Sequence, residues 1–332
     1  MHNKKIGSFK TGERNLITDV KGVNVGHKTF DLDNIQTGIT AITLPNQPFY
    51  RYEAAAFVFN GFGKSVGLIQ LNELGELETP IMLTNTYSVP AVMEGLIENL
   101  LKIDPERGKS KGTINPVVFE CNDGYLNDIQ RFYIRPKDVN EALENASKDF
   151  MQGSVGAGRG MSAYQMKGGI GSASRVTEID GEIFTVGTLS LTNMGLKKDF
   201  RILGEKFYDE DILNSEIPHK QDKGSMINIL ITDIPLSHRQ LNRVAKRCSI
   251  GLAHTGTMFS NGSGDIFLCV STGNVKKGNV FEKNRRLCDS QIDIVFRMAI
   301  ECTEDSVLSS IYSADTVKGR DGNIKYNINE DK

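Results

Sequence analysis

The chain reads as a layered α/β protein, with buried sheets and helices packed outside them. Three observations predict this. Several short runs are β-branched or continuously apolar, as strands covered on both faces are. Four stretches repeat apolar residues at helical spacing. The helices do not follow every strand, so a simple doubly wound sheet fits poorly and a sandwich of layers fits better.

In chain order, the strand-like runs are Ala54 to Phe59, Pro80 to Leu83, Pro116 to Phe119, Ile183 to Leu191, Ile227 to Ile231 and Ile266 to Val270. A first amphipathic stripe, Met93, Leu96, Ile97, Leu100 and Leu101, follows Ser88 and Pro90. A second is Val139, Ala142, Leu143, Ala146 and Phe150. A third is Leu241, Val244, Ala245, Cys248 and Leu252, with Ser237 as N-cap, and Val295, Met298, Ala299 and Cys302 begin a fourth. Each stripe is read as core. The basic tracts Lys276-Lys277 and Lys283-Asn284-Arg285-Arg286 read as a solvated loop.

Composition narrows the function classes. In 332 residues, 39 Lys and Arg face 41 Asp and Glu, a net charge of −2. Such a chain has no basic footprint for nucleic acid or an anionic membrane. No apolar stretch is long enough to span a bilayer, and no apolar segment follows the basic N-terminus as in a signal peptide. Five cysteines without a C-x-x-C pair fit reduced thiols and a cytoplasmic location. Five scattered histidines without H-E-x-x-H argue against a zinc site. The 33 glycines exceed the average share of about 7%, which directs attention to tight backbone sites.

Three glycine sites stand out. Gly63-Lys64-Ser65 resembles the end of a phosphate-binding loop, but the glycine needed five positions before Gly63 is Val58. Gly153 to Gly160 and Gly168 to Gly171 form a second pair of clusters, read either as tight turns or as backbone amides pressed against a substrate or oxyanion. The third, Gly262-Ser263-Gly264-Asp265, runs straight into an apolar strand. There Ser263 can attack the carbonyl of Gly262, which has no side chain to block it. Hydrolysis of the resulting ester would leave a new chain starting at Ser263, whose hydroxyl has its own α-amine as base.

The order of motifs resembles the L-aminopeptidase/D-amidase-esterase family, also called β-aminopeptidases. The resemblance starts at Ile17-Thr18-Asp19-Val20-Lys21-Gly22-Val23-Asn24-Val25-Gly26-His27 and Thr37-Gly38-Ile39-Thr40. It continues through Asn60-Gly61-Phe62-Gly63, Thr79 to Thr86 and Glu120-Cys121-Asn122-Asp123-Gly124-Tyr125-Leu126-Asn127-Asp128. The glycine clusters, Val186 to Asn193, Gly262 to Asp265, Thr303-Glu304 and Gly319-Arg320-Asp321-Gly322 complete it. The resemblance implies a four-layer α/β/β/α sandwich like that of N-terminal-nucleophile hydrolases, related to the ornithine acetyltransferases. It implies one layered domain over 1–332, cut between Gly262 and Ser263 into chains 1–262 and 263–332. The activity implied is that of a serine aminopeptidase acting on short peptides, amides or esters with a free amine. No metal or organic cofactor is implied, and the oligomer would be a tetramer of α/β pairs.

Residue by residue, the resemblance makes Ser263 the nucleophile and Asn193 the oxyanion donor. Glu120 would hold the substrate's ammonium, with Asn122 and Tyr125 beside it. At Asn122 some members carry an aromatic residue, for which Tyr125 is a nearby substitute. The family's Ser-x-Glu pair falls at Cys302 and Glu304, with a thiol, a weaker donor, in place of the hydroxyl. Two residues apart, these side chains cannot share a helix face. Either the helix breaks near Thr303 or the pair does not act together. Two other readings stand beside this one: an acyltransferase like the ornithine acetyltransferases, and an unprocessed, non-catalytic binding protein.

Overall fold

Alternating burial decides the architecture. In one central strand Ile227, Ile229 and Ile231 face one core while Met226 and Leu230 face another. The strand beside it does the same, with Ile266, Leu268 and Val270 on one side and Phe267 and Cys269 on the other. A sheet apolar on both faces must be covered on both. The computed structural model describes residues 4–208, 224–276 and 284–331. The tract residues Lys277 and Lys283 fall outside these.

The strands are β1 (Asn24–Leu32), β2 (Ile35–Thr43), β3 (Arg51–Gly61), β4 (Glu76–Leu77), β5 (Ile81–Asn85) and β6 (Val117–Cys121). They continue with a short hairpin β7 (Ser162–Ala163) and β8 (Met166–Lys167), then β9 (Ile170–Ile179) and β10 (Glu182–Asn193). A small pair, β11 (Arg201–Ile202) and β12 (Glu205–Lys206), precedes β13 (Ser225–Thr232) and β14 (Gly264–Lys276). One sheet has the order β1-β2-β5-β6 and the other β4-β3-β14-β13-β10-β9. Two neighbouring pairs, β5–β6 and β13–β14, are parallel and therefore need long crossovers.

Those crossovers carry α2 (Val89–Ile103) and α4 (His238–His254); α1 (Leu68–Leu74), α3 (Asp138–Glu144) and α5 (Ile292–Tyr312) complete the α-helices among the described residues. Leu96 and Leu100 of α2 and Val139 and Ala142 of α3 pack on Ile39, Ala41, Met82 and Val118 of the four-stranded sheet. Val244 and Cys248 of α4 pack with Val295, Ala299 and Cys302 of α5 on the outer face of the six-stranded sheet. Between the sheets lie Ile42, Leu83, Phe119, Leu189, Leu191 and the isoleucines of β13. The layers are thus α/β/β/α.

Three local results differ from, or complete, the sequence expectations. The second stripe stops at Glu144, because Ser147 bridges to Val25 and pulls the chain out of the helix, leaving Phe150 against the inter-sheet core. Ser237 caps α4 in a capping box with Gln240, as its position predicts. Helix α5 is continuous through Thr303, so the expected break there does not occur.

Candidate active site

Four strands of the larger sheet end in register. Asn193 of β10 pairs with Ser225 of β13, Ser225 with Gly264 of β14, and Gly264 with Gly61 of β3. At about 4.8 Å per strand, the Cα atoms of Asn193 and Gly264 are about 10 Å apart. Ser263 immediately precedes Gly264, so it lies at the same end of the sheet as Asn193.

Ser263 is buried, 1% exposed. Its N–H donates to Ser260 O at 2.8 Å, closing a turn, and its carbonyl accepts from Phe62 N at 3.2 Å. Its Oγ donates to Asp265 Oδ1 at 2.8 Å. In the continuous chain the Ser263 nitrogen is an amide and cannot act as base, so Asp265 is the group placed to take the hydroxyl proton. Asp265 belongs to the Gly262-Ser263-Gly264-Asp265 motif, but its role is not legible in the sequence. The i+2 spacing before a strand carries no signal until the turn geometry is known. Gly264 is needed here for close approach, because a Cβ would meet Phe62 O at 2.7 Å.

Asn193 is also nearly buried, and two hydrogen bonds fix its amide: Oδ1 accepts from Ser162 N at 3.0 Å and Nδ2 donates to Asn122 O at 2.9 Å. The second N–H of Nδ2 remains for a bound oxygen. Asn193 lines a cleft of about 490 Å³ with Asn122, Tyr125, Gly195, Gly224 and Arg320. Gly224 O accepts from Gly264 N, which connects this cleft to the Ser263 turn.

Glu120 is buried near the end of β6, in the facing sheet. It accepts from Lys64 N at 2.7 Å and from the Thr86 hydroxyl. An acid therefore occupies the place where a phosphate-binding loop would need its anion, which removes the nucleotide reading of Gly63-Lys64-Ser65. Glu120 approaches the Ser263 turn through Gly63, where a Cβ would lie 3.4 Å from Oε1. Neighbouring Cys121 is fully buried; burial pushes its thiol pKa well up, and the charges of Glu120 and Asp265 push the same way. Asn122 uses its own side chain to accept from Gly124 N, and Tyr125 stands half-exposed at the cleft wall under Lys325.

Below the cleft, Asp123 is completely buried. Thr37 Oγ1 donates to it at 2.5 Å and Asn127 Nδ2 at 3.0 Å. Burial pushes its pKa up to about 7 against the pull of those donors. The glycine clusters spend their amides internally: Gly156 N on Thr29, Ala157 N on Thr40 and Gly169 N on Thr192. Their role is close packing, as at Gly171, where a Cβ would strike Ser306 O of α5.

Cys302 and Glu304 do not join this cluster. Cys302 Sγ lies in the outer core against Val186 O at 3.5 Å. Val186 is seven residues before Asn193 along β10, about 23 Å at roughly 3.3 Å per residue. Glu304 pairs with His254 Nδ1 at 2.9 Å between α4 and α5. Because α5 is unbroken, the two side chains diverge, and the sequence expectation that they serve Ser263 is corrected. Among the described residues no three His, Cys, Asp or Glu side chains gather as metal ligands, and no helix is long and apolar enough to cross a membrane.

Residues 15–325 match peptidase family S58. The chain belongs to that family. A β-peptidyl aminopeptidase of Sphingosinicella microcystinivorans is 34% identical over 344 residues, covering 94% of this chain and 85% of its own. A solved Pyrococcus horikoshii protein superposes with a TM-score of 0.93 at 44% identity, covering 98% of this chain and 94% of its own. The L-aminopeptidase D-Ala-esterase/amidase of Ochrobactrum anthropi, described as a new variant of the Ntn hydrolase fold, superposes at 0.90 with 31% identity. That match covers 97% of this chain and 93% of the other. This S58 chain is accordingly a hydrolase of the serine aminopeptidase class.

Proposed function

We propose that this serine aminopeptidase activates itself by cutting between Gly262 and Ser263, then releases N-terminal residues from short peptides, amides or esters through an acyl-enzyme on Ser263. The observation that carries the reading is the buried Ser263 Oγ donating to Asp265 at the end of β14, in register with Asn193.

In the first step Ser263 Oγ attacks the Gly262 carbonyl carbon and its proton passes to Asp265. The C–N bond breaks, the nitrogen takes the proton, and an ester joins Gly262 to Ser263 Oγ. Water hydrolyses that ester, leaving a Gly262 carboxylate and a free Ser263 amine. In turnover the new amine takes the hydroxyl proton as Oγ attacks the substrate carbonyl. Asn193 Nδ2 donates to the oxygen that becomes negative, and its two fixed hydrogen bonds spare the reorganisation cost. The leaving amine takes the proton, and water then frees the acid.

Glu120 holds the substrate's ammonium. Two of its lone pairs are taken by Lys64 N and Thr86, and a carboxylate has about four to offer. The five cysteines are free thiols, which supports a reducing, cytoplasmic location. The test is kcat/KM for one amino-acid p-nitroanilide with its amine free and N-acetylated. A strong preference for the free amine is expected. Equal cleavage of both would make the protein a general amidase or esterase.

A further inference from the structure

Lys167 is completely buried, yet it is not part of any ion pair among the described residues. Its Nζ donates to three backbone carbonyls: Gly158 O at 2.9 Å, Met161 O at 2.8 Å and Gly168 O at 2.6 Å. Three acceptors match the three N–H bonds of an ammonium, where a neutral amine has two; burial and the nearby Arg159 charge work against the charged form and push the Lys167 pKa well down. One side chain therefore ties both glycine clusters to the short hairpin between them. That hairpin turns through Tyr164 and Gln165, both at positive φ, and sets Lys167 directly across from Ser162.

The Met161 contact leads to the active site. Met161 C=O and Ser162 N–H belong to one peptide group. Its oxygen accepts from Lys167 and its N–H donates to Asn193 Oδ1 at 3.0 Å. The Lys167 N–H on this carbonyl polarises the peptide and makes its own N–H a stronger donor, as in any hydrogen-bond chain. Together with Gly168 N–H, which donates to the same oxygen at 3.2 Å, Lys167 fixes the plane of that peptide. The Ser162 N–H in turn selects which end of the Asn193 carboxamide faces Asn122 and the cleft. With the amide reversed, an acceptor rather than a donor would meet the developing oxyanion.

We propose that Lys167 is a positioning residue for this hydrolase: through the Met161–Ser162 peptide it holds the Asn193 carboxamide with Nδ2 toward the reacting carbonyl. The proposal rests on the reading of Asn193 as oxyanion donor. Lys167 touches neither substrate nor Ser263.

The experiment compares wild type, K167M, N193A and the double variant, with kcat and KM normalised to cut chain. In parallel, the side-chain amide signal of Asn193 is followed in protein labelled with ¹⁵N-Asn, assigned by its loss in N193A. The proposal expects K167M to lose about tenfold or more in kcat, with KM within about twofold, because the affected donor acts in the transition state. In the N193A background K167M should add less than about twofold, since the two act in series. The Asn193 signal should move in K167M, in cut and uncut protein alike. An equal loss in both backgrounds with an unmoved signal means a merely structural lysine and overturns the proposal, as does an unchanged kcat with an unmoved signal. If K167M does not fold, K167Q, neutral but with two N–H donors, goes through the same comparison. An N193A enzyme of full activity would instead discard the oxyanion role of Asn193, and the amide signal alone would then decide Lys167.

Discussion

Removing the Asn193 carboxamide gives two separable effects. On the proposed mechanism, Asn193→Ala removes the donor aimed at the developing oxyanion. One such donor is worth about 10²–10³ in kcat, or about 2.7–4 kcal/mol. KM should change little, because the ground-state carbonyl gains much less from the donor than the transition state does. The same substitution leaves Ser162 N–H and Asn122 C=O without the partners they have at 3.0 and 2.9 Å. Each costs about 1–3 kcal/mol if it stays dry, so stability should fall by roughly 2–6 kcal/mol. Asn193→Asp separates the effects. Its carboxylate can still accept from Ser162, but it places an acceptor against Asn122 O and against the oxyanion, so kcat should fall at least as far as in Asn193→Ala. The assay is steady-state kinetics on correctly cut enzyme with an L-amino-acid p-nitroanilide, alongside urea unfolding. An Asn193→Ala enzyme with kcat within about threefold of wild type would reduce Asn193 to a strand-end residue.

Four further outcomes follow from the same geometry. Asp265→Asn keeps an acceptor for Ser263 Oγ but cannot take its proton, so self-cleavage on a denaturing gel should slow by about 10²–10⁴-fold; cleavage at the wild-type rate would remove Asp265 as base. Glu120→Gln should weaken free-amine substrates by about 1.5–3 kcal/mol, the worth of a charged hydrogen bond, and narrow their advantage over acetylated ones; undiminished discrimination would move the ammonium site elsewhere. Cys302→Ser and Glu304→Gln should leave kcat/KM within about twofold, whereas a tenfold loss in either would contradict their separation from Ser263. Asp123 carries a folded pKa raised by burial to about 7, against about 3.9 unfolded. Between those values the folded chain keeps a proton the unfolded chain has lost, so this group lowers stability as pH rises from about 4 to 7, by up to ~4 kcal/mol. Asp123→Asn lacks that dependence, so its stability relative to wild type should climb over that window; a flat difference in urea unfolding would refute it.

The central strands were legible because their apolar runs are uninterrupted: Ile227 to Ile231 and Ile266 to Val270 form the middle of the six-stranded sheet. Strands β1, β2 and β9 were not, because much of what they bury is polar or glycine. In β2, Gln36 accepts from Arg159 and Thr37 donates to Asp123, so polar side chains are buried with partners far away in sequence. In β9, Gly171, Ser172 and Ser174 are small because α5 and the N-terminal segment press against them. Ser263 and Asn193 could be picked from the order of motifs, and the structure brings their strand ends into register. Asp265 and Lys167 could not, since one acts through a turn and the other through three carbonyls, and neither leaves a mark in residue spacing. The Cys302–Glu304 pair shows the opposite failure. A short matching string sat inside an unbroken helix, and its register against β10 carried both residues away from the site.

The most direct test of the account is the mass and N-terminal sequence of the purified protein under denaturing conditions. The account predicts two chains, the smaller beginning Ser-Gly-Asp-Ile-Phe, and a single uncut, inactive chain for Ser263→Ala. A full-length chain that cleaves free-amine substrates without being cut, or a smaller chain that begins anywhere other than Ser263, would contradict it.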